Sequence, residues 1–422
     1  MRERPPNANN SAAGDDGIFT LPIERALRAA TIPRDGPFGR RSRGSLIAPR
    51  VRISGAWRSA AVAAAMVVAT TTTGWSQCAA LCPPNNPPPP PVSATSSAIG
   101  ASANYALFGL GTQYLHLLGG MGGPSWQSSL FGTGPNPGGG GAPAAPATPT
   151  WRAWGEVYGQ ASSTGAQQQA NFPGDSRRTY GGVAGIAMNV TPAATVGLSV
   201  DQSRTAIDIV GLPQHASLDL TQIGINGAYE FGAWTVSAAG VGGFARVDSN
   251  RDTLSGPATA AYDAHIWGAI AEAAYYVPLG SARVVPKFGV DWTQSHTDAY
   301  AEMGGIDAVS VPAATADRTR IFGGAEIGNT FVTSTTVVDL SGYARVVDIL
   351  SQHVPNVTVS AVSGPATPIT VFGVTESKYG VDTGASVSVR LSPIARLYAI
   401  YDGRFRDGFE SHTGTVGVEL RW

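Results

Sequence analysis

The side chains able to do chemistry are few and scattered. His116, His215, His265, His296, His353 and His412 are dispersed through 422 residues, with no i, i+4 pair and no neighbouring ligand cluster. Cys78 and Cys82 are the only cysteines. Without clustered histidines they offer no metal site, although in an oxidising compartment they would suit a small disulfide. Gly138–Gly141 lacks the flanking strand and helix of a phosphate-binding loop, and no P-loop or dinucleotide fingerprint is present. No catalytic residue, metal or cofactor is therefore assigned. Five charged residues stand out by parity: Asp201, Asp291, Arg390, Glu419 and Arg421 each sit opposite an apolar alternation. They read as lumen-facing in a closed sheet, either as a hydrophilic pore wall or as mutually paired charges filling the interior. Pairing is favoured, with pore lining as its consequence.

What positions those residues follows from how charge is spread. Residues 1–58 hold 11 Arg and 5 acids, residues 59–150 no Asp, Glu, Lys or Arg, and residues 151–422 17 basic and 24 acidic groups. The formal net charge of −1 thus conceals three unlike segments. Only 14% of residues are charged, below the ~25% usual in soluble domains. With no bulk basic balance, nucleic-acid binding has no electrostatic support. No run of 18 apolar residues appears, which excludes a bundle of membrane-spanning helices and leaves a barrel as the membrane option.

Residues 51–76 read as a secretory signal peptide. Arg52 and Arg58 precede the apolar run Ala60–Ala69, and Gly74-Trp75-Ser76 offers small residues before Gln77. The alternative is a buried Ala-rich helix of a soluble domain. Residues 1–50 form an Arg-rich extension, and our hypothesis is that translation begins at Val51, which gives the signal an ordinary length; peptides from residues 5–40 in cell lysate would refute it. An unusually long leader is the alternative. Ser76-Gln77 is a poor context for a lipid anchor on Cys78. Residues 77–150 form a short uncharged passenger or linker, with a polyproline spacer (83–93) and a Pro/Gly/Ala linker (133–150). Between them Ala103, Leu107, Leu110, Tyr114 and Leu117 share one helical face, while Gly109 and Gly111 count against a helix. A short helix and a disordered tail fit equally.

From Trp151 the period becomes 2. Val196, Leu198 and Val200 alternate with polar or small residues, as do Phe288, Val290 and Trp292, then Val387, Val389 and Leu391, and finally Val416, Val418, Leu420 and Trp422. The pattern predicts twelve strands near 151–160, 179–190, 194–206, 215–231, 233–249, 259–277, 282–298, 317–331, 335–350, 374–391, 394–406 and 411–422. Short turns alternate with longer connections at 161–178, 207–214, 250–258, 299–316, 351–373 and 407–410. Even strand number with short turns at one end and long loops at the other is the pattern of a transmembrane barrel. Trp151, Trp154, Tyr229, Trp234, Tyr275, Tyr276, Tyr401 and Trp422 are expected as interfacial girdle residues.

The last forty residues carry a family likeness. Ile394–Arg406, Asp407–His412 and Thr413–Trp422, with Tyr401-Asp402-Gly403, the His412 turn, Gly417-x-x-x-Arg421 and terminal Trp422, resemble the C-terminal strands of the autotransporter translocator domain. The likeness in length and strand order covers 151–422. It implies an all-β, 12-stranded antiparallel barrel in the outer membrane of a Gram-negative bacterium. The barrel would be monomeric, in contact with outer-membrane lipid, helped by periplasmic chaperones and inserted by the barrel-assembly machinery. The signal for that machinery would be the final strand, Val416, Val418, Leu420 and Trp422. The resemblance also implies that the N-terminal segment is exported through, or lodged in, the pore. Members typically carry a passenger of several hundred residues; here it is rudimentary, without solenoid repeats. The Asn-Asn pair used for passenger release in some members is absent from 94–150, and Asn85-Asn86 lies in the polyproline stretch. Gly174-Asp175-Ser176 resembles a motif of esterase passengers, but Arg177 follows in place of Leu and no catalysis is assigned to it. The expected function is a translocator that exports or displays a short passenger. The alternatives are a porin-like channel or structural surface protein without export, and a barrel enzyme.

Overall fold

The computed structural model describes residues 98–122, 151–253, 256–304, 308–333, 336–362, 369–371 and 373–422. The extension 1–50, the signal peptide 51–76, Cys78, Cys82 and the linker 133–150 lie outside the described residues. Among the described residues one α-helix, α1 (Ala98–Gly122), precedes the strands β1 (Trp151–Thr164), β2 (Asp175–Thr191), β3 (Ala194–Ile209), β4 (Gln214–Phe231), β5 (Trp234–Thr253), β6 (Gly256–Tyr275), β7 (Val277–Leu279), β8 (Ala282–Thr297), β9 (Tyr300–Ala301), β10 (Met303–Gly304), β11 (Val309–Val311), β12 (Ala314–Val332), β13 (Val337–His353), β14 (Val357–Ala361), β15 (Ile369–Val371), β16 (Tyr379–Arg390), β17 (Ala395–Arg406) and β18 (Phe409–Arg421).

Twelve of these, β1–β6, β8, β12, β13 and β16–β18, form one antiparallel barrel. It closes because β1 pairs with both β2 and β18, the latter from Arg152↔Arg421 to Thr164↔Phe409, and because β6 pairs with β8. Closure leaves no open edge among these strands, which is what a sheet in lipid requires. Along each strand, side chains alternate between a buried inner side and an accessible outer side. The outer side carries Leu198, Ile225, Phe244, Trp267, Phe288, Ile327 and Val346. The inner side carries most of the buried charge.

The strands run further than their sequence pattern suggested. The strands extend into the expected loops 207–214, 250–258 and 407–410: β3 and β4 are paired at Asp208↔His215, β5 and β6 stay paired to Thr253↔Gly256, and β17 and β18 to Arg406↔Phe409. Charged residues within the expected strands form cross-strand pairs on the outer face, Arg204–Asp219 at 3.6 Å and Arg246–Asp263 at 3.5 Å. Strands β5 and β6 have 20 residues each, about 66 Å of chain at ~3.3 Å per residue, far taller than the ~25 Å apolar belt of an outer-membrane barrel. Three connections at this end remain long. Two of them contribute a second sheet, in the order β15-β14-β11-β9, packed through Val309, Val311, Val359 and Val371. The segment expected as strand from 374 becomes one only at Tyr379.

Two further expectations change. Trp154 is buried on the inner side, because its indole lies over Gly185, where an added Cβ would come within 2.5 Å of the ring. Tyr401 lies in mid-strand, hydrogen bonded to His412 Nδ1 at 2.8 Å. Trp151, Tyr229, Trp234, Tyr275 and Trp422 lie on the accessible outer side near strand ends. The helix is 25 residues long and buried on more than one face: Leu115 and Leu118, absent from the expected stripe, are fully buried, while Leu117 is half-buried. Gly111, which argued against a helix, is where it approaches β6 most closely; a Cβ there would lie 2.4 Å from Ile266 Cδ1. Tertiary packing overrides the propensity penalty.

Candidate functional site

The chemistry-bearing side chains converge inside the barrel, around α1. Alternation puts them there: a polar residue between two outward apolar ones must point inward. Asp291 on β8 receives both arms of Arg320 on β12, Nε and Nη2, at 2.9 Å each. Asp382 on β16 binds Arg345 of β13 at 3.1 Å and Arg406 of β17 at 2.7 Å. Arg318 of β12 donates to Thr112 Oγ1 at 2.8 Å and pairs with Glu376, in the connection before β16. Arg404 of β17 donates to the Gly109 carbonyl at 3.3 Å. Burying these charges is tolerable because each is paired or hydrogen bonded.

Across the lumen the chemistry is different. Glu156 of β1 accepts from Tyr398 Oη at 3.0 Å. Asp201 of β3 accepts from Tyr158 Oη at 3.0 Å and Gln222 Nε2 at 2.9 Å. Tyr114 of α1 shares a hydrogen bond with Ser199 at 2.7 Å. A cavity of about 170 Å³ lies between these walls, lined among others by His116, Glu156, Asp201, Arg345 and Arg404.

The ends of α1 are fixed differently. Near Ala98, Asn104 Oδ1 accepts from Thr297 Oγ1 at 2.9 Å, at the long-connection end of β8. Tyr262 and Tyr300 stack there with centroids 4.1 Å apart, and Arg251 grips Glu302 with contacts of 3.2 and 2.6 Å. Near Gly122, Asn226 Nδ2 donates to the Leu118 carbonyl at 3.4 Å, toward the short-turn end of β4. Gly224 and Gly268 make room for the helix: a Cβ at either would lie within 2.7 Å of Leu118 or Leu115.

The residues singled out from sequence fall as follows. Asp201, Asp291 and Glu419 are buried on the inner side, each on polar partners. Glu419 binds Arg396 at 3.1 Å and Arg421 at 2.8 Å. Arg390 and Arg421 are partly buried. Val416, Val418, Leu420 and Trp422 are accessible on the outer face. Asp175 is buried and accepts the Thr164 amide at 3.1 Å, which ties the two ends of the β1–β2 connection together. Ser176 sits opposite Asp208, which binds His215 at 2.7 Å on the next strand. The acid thus separates serine from imidazole, the wrong order for a nucleophile and its base. Among the described residues no three His, Cys, Asp or Glu converge to hold a metal. Sequence reasoning missed Glu156, Arg320, Arg345, Asp382 and Arg404. All five obey the same inward parity, which was the available signal.

A closed twelve-stranded antiparallel barrel with an apolar outer face and a charged interior defines a transmembrane β-barrel of the outer-membrane type. The autotransporter β-domain family model matches residues 153–402, more than half of the chain, and the protein belongs to that family: it is an autotransporter translocator barrel. Its fold is similar to the translocator domain of the autotransporter NalP from Neisseria meningitidis, with a TM-score of 0.58 and 15% identity over 78% of this chain and 100% of that one. It is also similar to the β-domain of the Bordetella autotransporter BrkA, with a TM-score of 0.51 and 14% identity over 64% and 99%. No curated protein shows significant sequence similarity to the chain. Autotransporter barrels of this kind are outer-membrane proteins of Gram-negative bacteria.

Proposed function

We propose that this barrel carries its own N-terminal segment across the outer membrane and retains the end of it, α1, in its lumen, so that residues upstream of Ala98 are displayed outside the cell. The observation that carries this reading is the polarity of α1. Its Ala98 end lies among the long connections, beside Thr297 and Tyr300, while its far end lies toward the short turns, where Trp151 begins β1. A chain entering from the periplasmic turns and leaving through the outer mouth has this direction. The uncharged composition of 59–150 supports it, since a neutral segment has no charges to desolvate in transit. A short epitope inserted between residues 92 and 97 tests the reading. Protease shaving of intact cells is expected to remove it. Protection until the outer membrane is broken would favour the porin-like or structural alternative. The same proposal includes delivery by periplasmic chaperones and insertion of a monomeric barrel by the assembly machinery, guided by the strand ending at Trp422.

A further inference from the structure

Residues 59–150 contain no Asp, Glu, Lys or Arg, and His116 is their only histidine. It is the one side chain of that segment whose ordinary charge change falls between pH 5 and 8. The fold sets it against a charged wall of the lumen, made by Asp291, Arg320 and Arg345. Its Nε2 is 3.2 Å from Asp291 Oδ2 and 3.1 Å from Arg320 Nη2, and its Nδ1 is 3.0 Å from Arg345 Nη1. The ring also meets Phe322 edge-on at 5.0 Å.

These partners assign the protons. A guanidinium only donates, so Nδ1 must accept from Arg345. The single ring proton is then on Nε2, which donates to Asp291; Arg320 Nη2, 3.1 Å from that nitrogen and itself a donor, donates to Asp291 and not to the ring, and the imidazole is neutral. A second proton would go to Nδ1, abolish that acceptor and set two donors against each other. The carboxylate in contact with the ring, Asp291, is already committed to an arginine. Asp291 of β8 is held by Arg320 of β12, and Asp382 of β16 by Arg345 and Arg406. Arg404 of β17 adds positive charge beside Gly109. In the cavity that His116 lines, Lys287 of β8 is paired with Glu326 of β12 at 3.0 Å, Glu272 of β6 lies on the wall, and Glu156 of β1, Asp201 of β3 and Asp402 of β17 accept from Tyr398, Tyr158 and Tyr343.

We propose that His116 is the positioning residue that parks the exported segment in the barrel, and that it does so only while neutral. The proposal rests on the reading that α1 is retained in the lumen. Once α1 leaves, the imidazole meets water and protonates with an ordinary pKa of ~6.5. The released state therefore binds more protons than the parked one. Below that pH, parking weakens by about tenfold per pH unit; above it, parking is independent of pH.

The test uses the full chain in planar lipid bilayers, with channel opening recorded from pH 8 to pH 5. The native chain is expected to be closed at pH 8 and to open at least tenfold more often at pH 5. His116→Gln keeps an amide oxygen for Arg345 and an N–H for Asp291 but does not titrate; it should stay closed throughout. His116→Leu should open more often at every pH, without a pH trend. A native chain closed over the whole range, or a His116→Gln chain that opens with acid as the native one does, overturns the role of His116 alone. A native chain that is already fully open at pH 8 instead overturns the retention of α1.

Discussion

Tyr398 lies flat over Gly417 on the neighbouring strand and donates its hydroxyl to Glu156 Oε2 one strand further on, at 3.0 Å. One side chain of β17 thereby crosses β18 and reaches β1, the seam where the last strand meets the first. A Cβ at Gly417 would come within 2.4 Å of the ring. Gly417→Ala should therefore force the ring off its site and destabilise the barrel by about 1–3 kcal/mol. Tyr398→Phe, which removes only the hydrogen bond, should cost about 1 kcal/mol. Urea unfolding in detergent micelles measures both, and a Gly417→Ala barrel as stable as the native one contradicts the packing argument.

Gly111→Val should push α1 off β6, since a Cβ there already lies 2.4 Å from Ile266 Cδ1. The barrel strands do not depend on that contact. The expected result is a native-like unfolding midpoint with increased channel opening. Unchanged opening counts against close packing of α1 at this point.

Arg251 and Glu302 form a buried, two-pronged ion pair, and Glu302 Oε2 also accepts the Val309 amide at 3.1 Å. Arg251→Ala leaves a buried carboxylate without its arginine partner and should cost about 3–5 kcal/mol locally. The loss should appear as faster protease cleavage within 298–313, while the heat-modifiable barrel persists. Cleavage at the native rate would contradict it.

Glu376 carries a pH dependence. Burial pushes its carboxyl up, but Arg318, Arg320 and Arg406 outweigh that and hold it below the usual carboxylate range. A pKa lower in the folded connection than in the open one contributes stability above about pH 4.3 that is lost as pH falls further. Protease sensitivity of the 373–378 connection should thus rise on acidification below pH 4.3 in the native chain. Glu376→Gln should flatten that rise and be more sensitive at neutral pH. An equal acid response in both would remove Glu376 as its source.

Trp422 and Trp151 exchange backbone hydrogen bonds of 2.8 and 3.0 Å, closing the seam at its end. If the assembly machinery reads the terminal aromatic strand, Trp422→Ala should sharply reduce heat-modifiable protein in the outer membrane. Refolding of the purified variant into detergent should remain near normal. Native membrane levels in vivo would refute recognition at this residue.

The alternation in Val196–Val200, Phe288–Trp292 and Val416–Trp422 was enough to set the inner and outer faces of the strands, because side-chain direction in a strand is a local property with period 2. The inward parity of Asp201, Asp291 and Glu419 followed from it. Strand ends were less legible: backbone pairing continues into the expected loops 207–214, 250–258 and 407–410, where the apolar alternation had already faded.

What the chain alone determined, then, was a twelve-stranded closed sheet with apolar residues outside and charge inside. Which charges meet was decided only by closure, because partners far apart in sequence are brought to one level by strand register around the ring. His116 and Asp291 are 175 positions apart, and Tyr398 and Glu156 242. The helix shows the same division. Its propensity was ambiguous at Gly109 and Gly111, and its length and burial came from walls whose glycines at 224 and 268 leave room for Leu118 and Leu115. Local periodicity chooses the face of a residue; only the completed barrel chooses its neighbour.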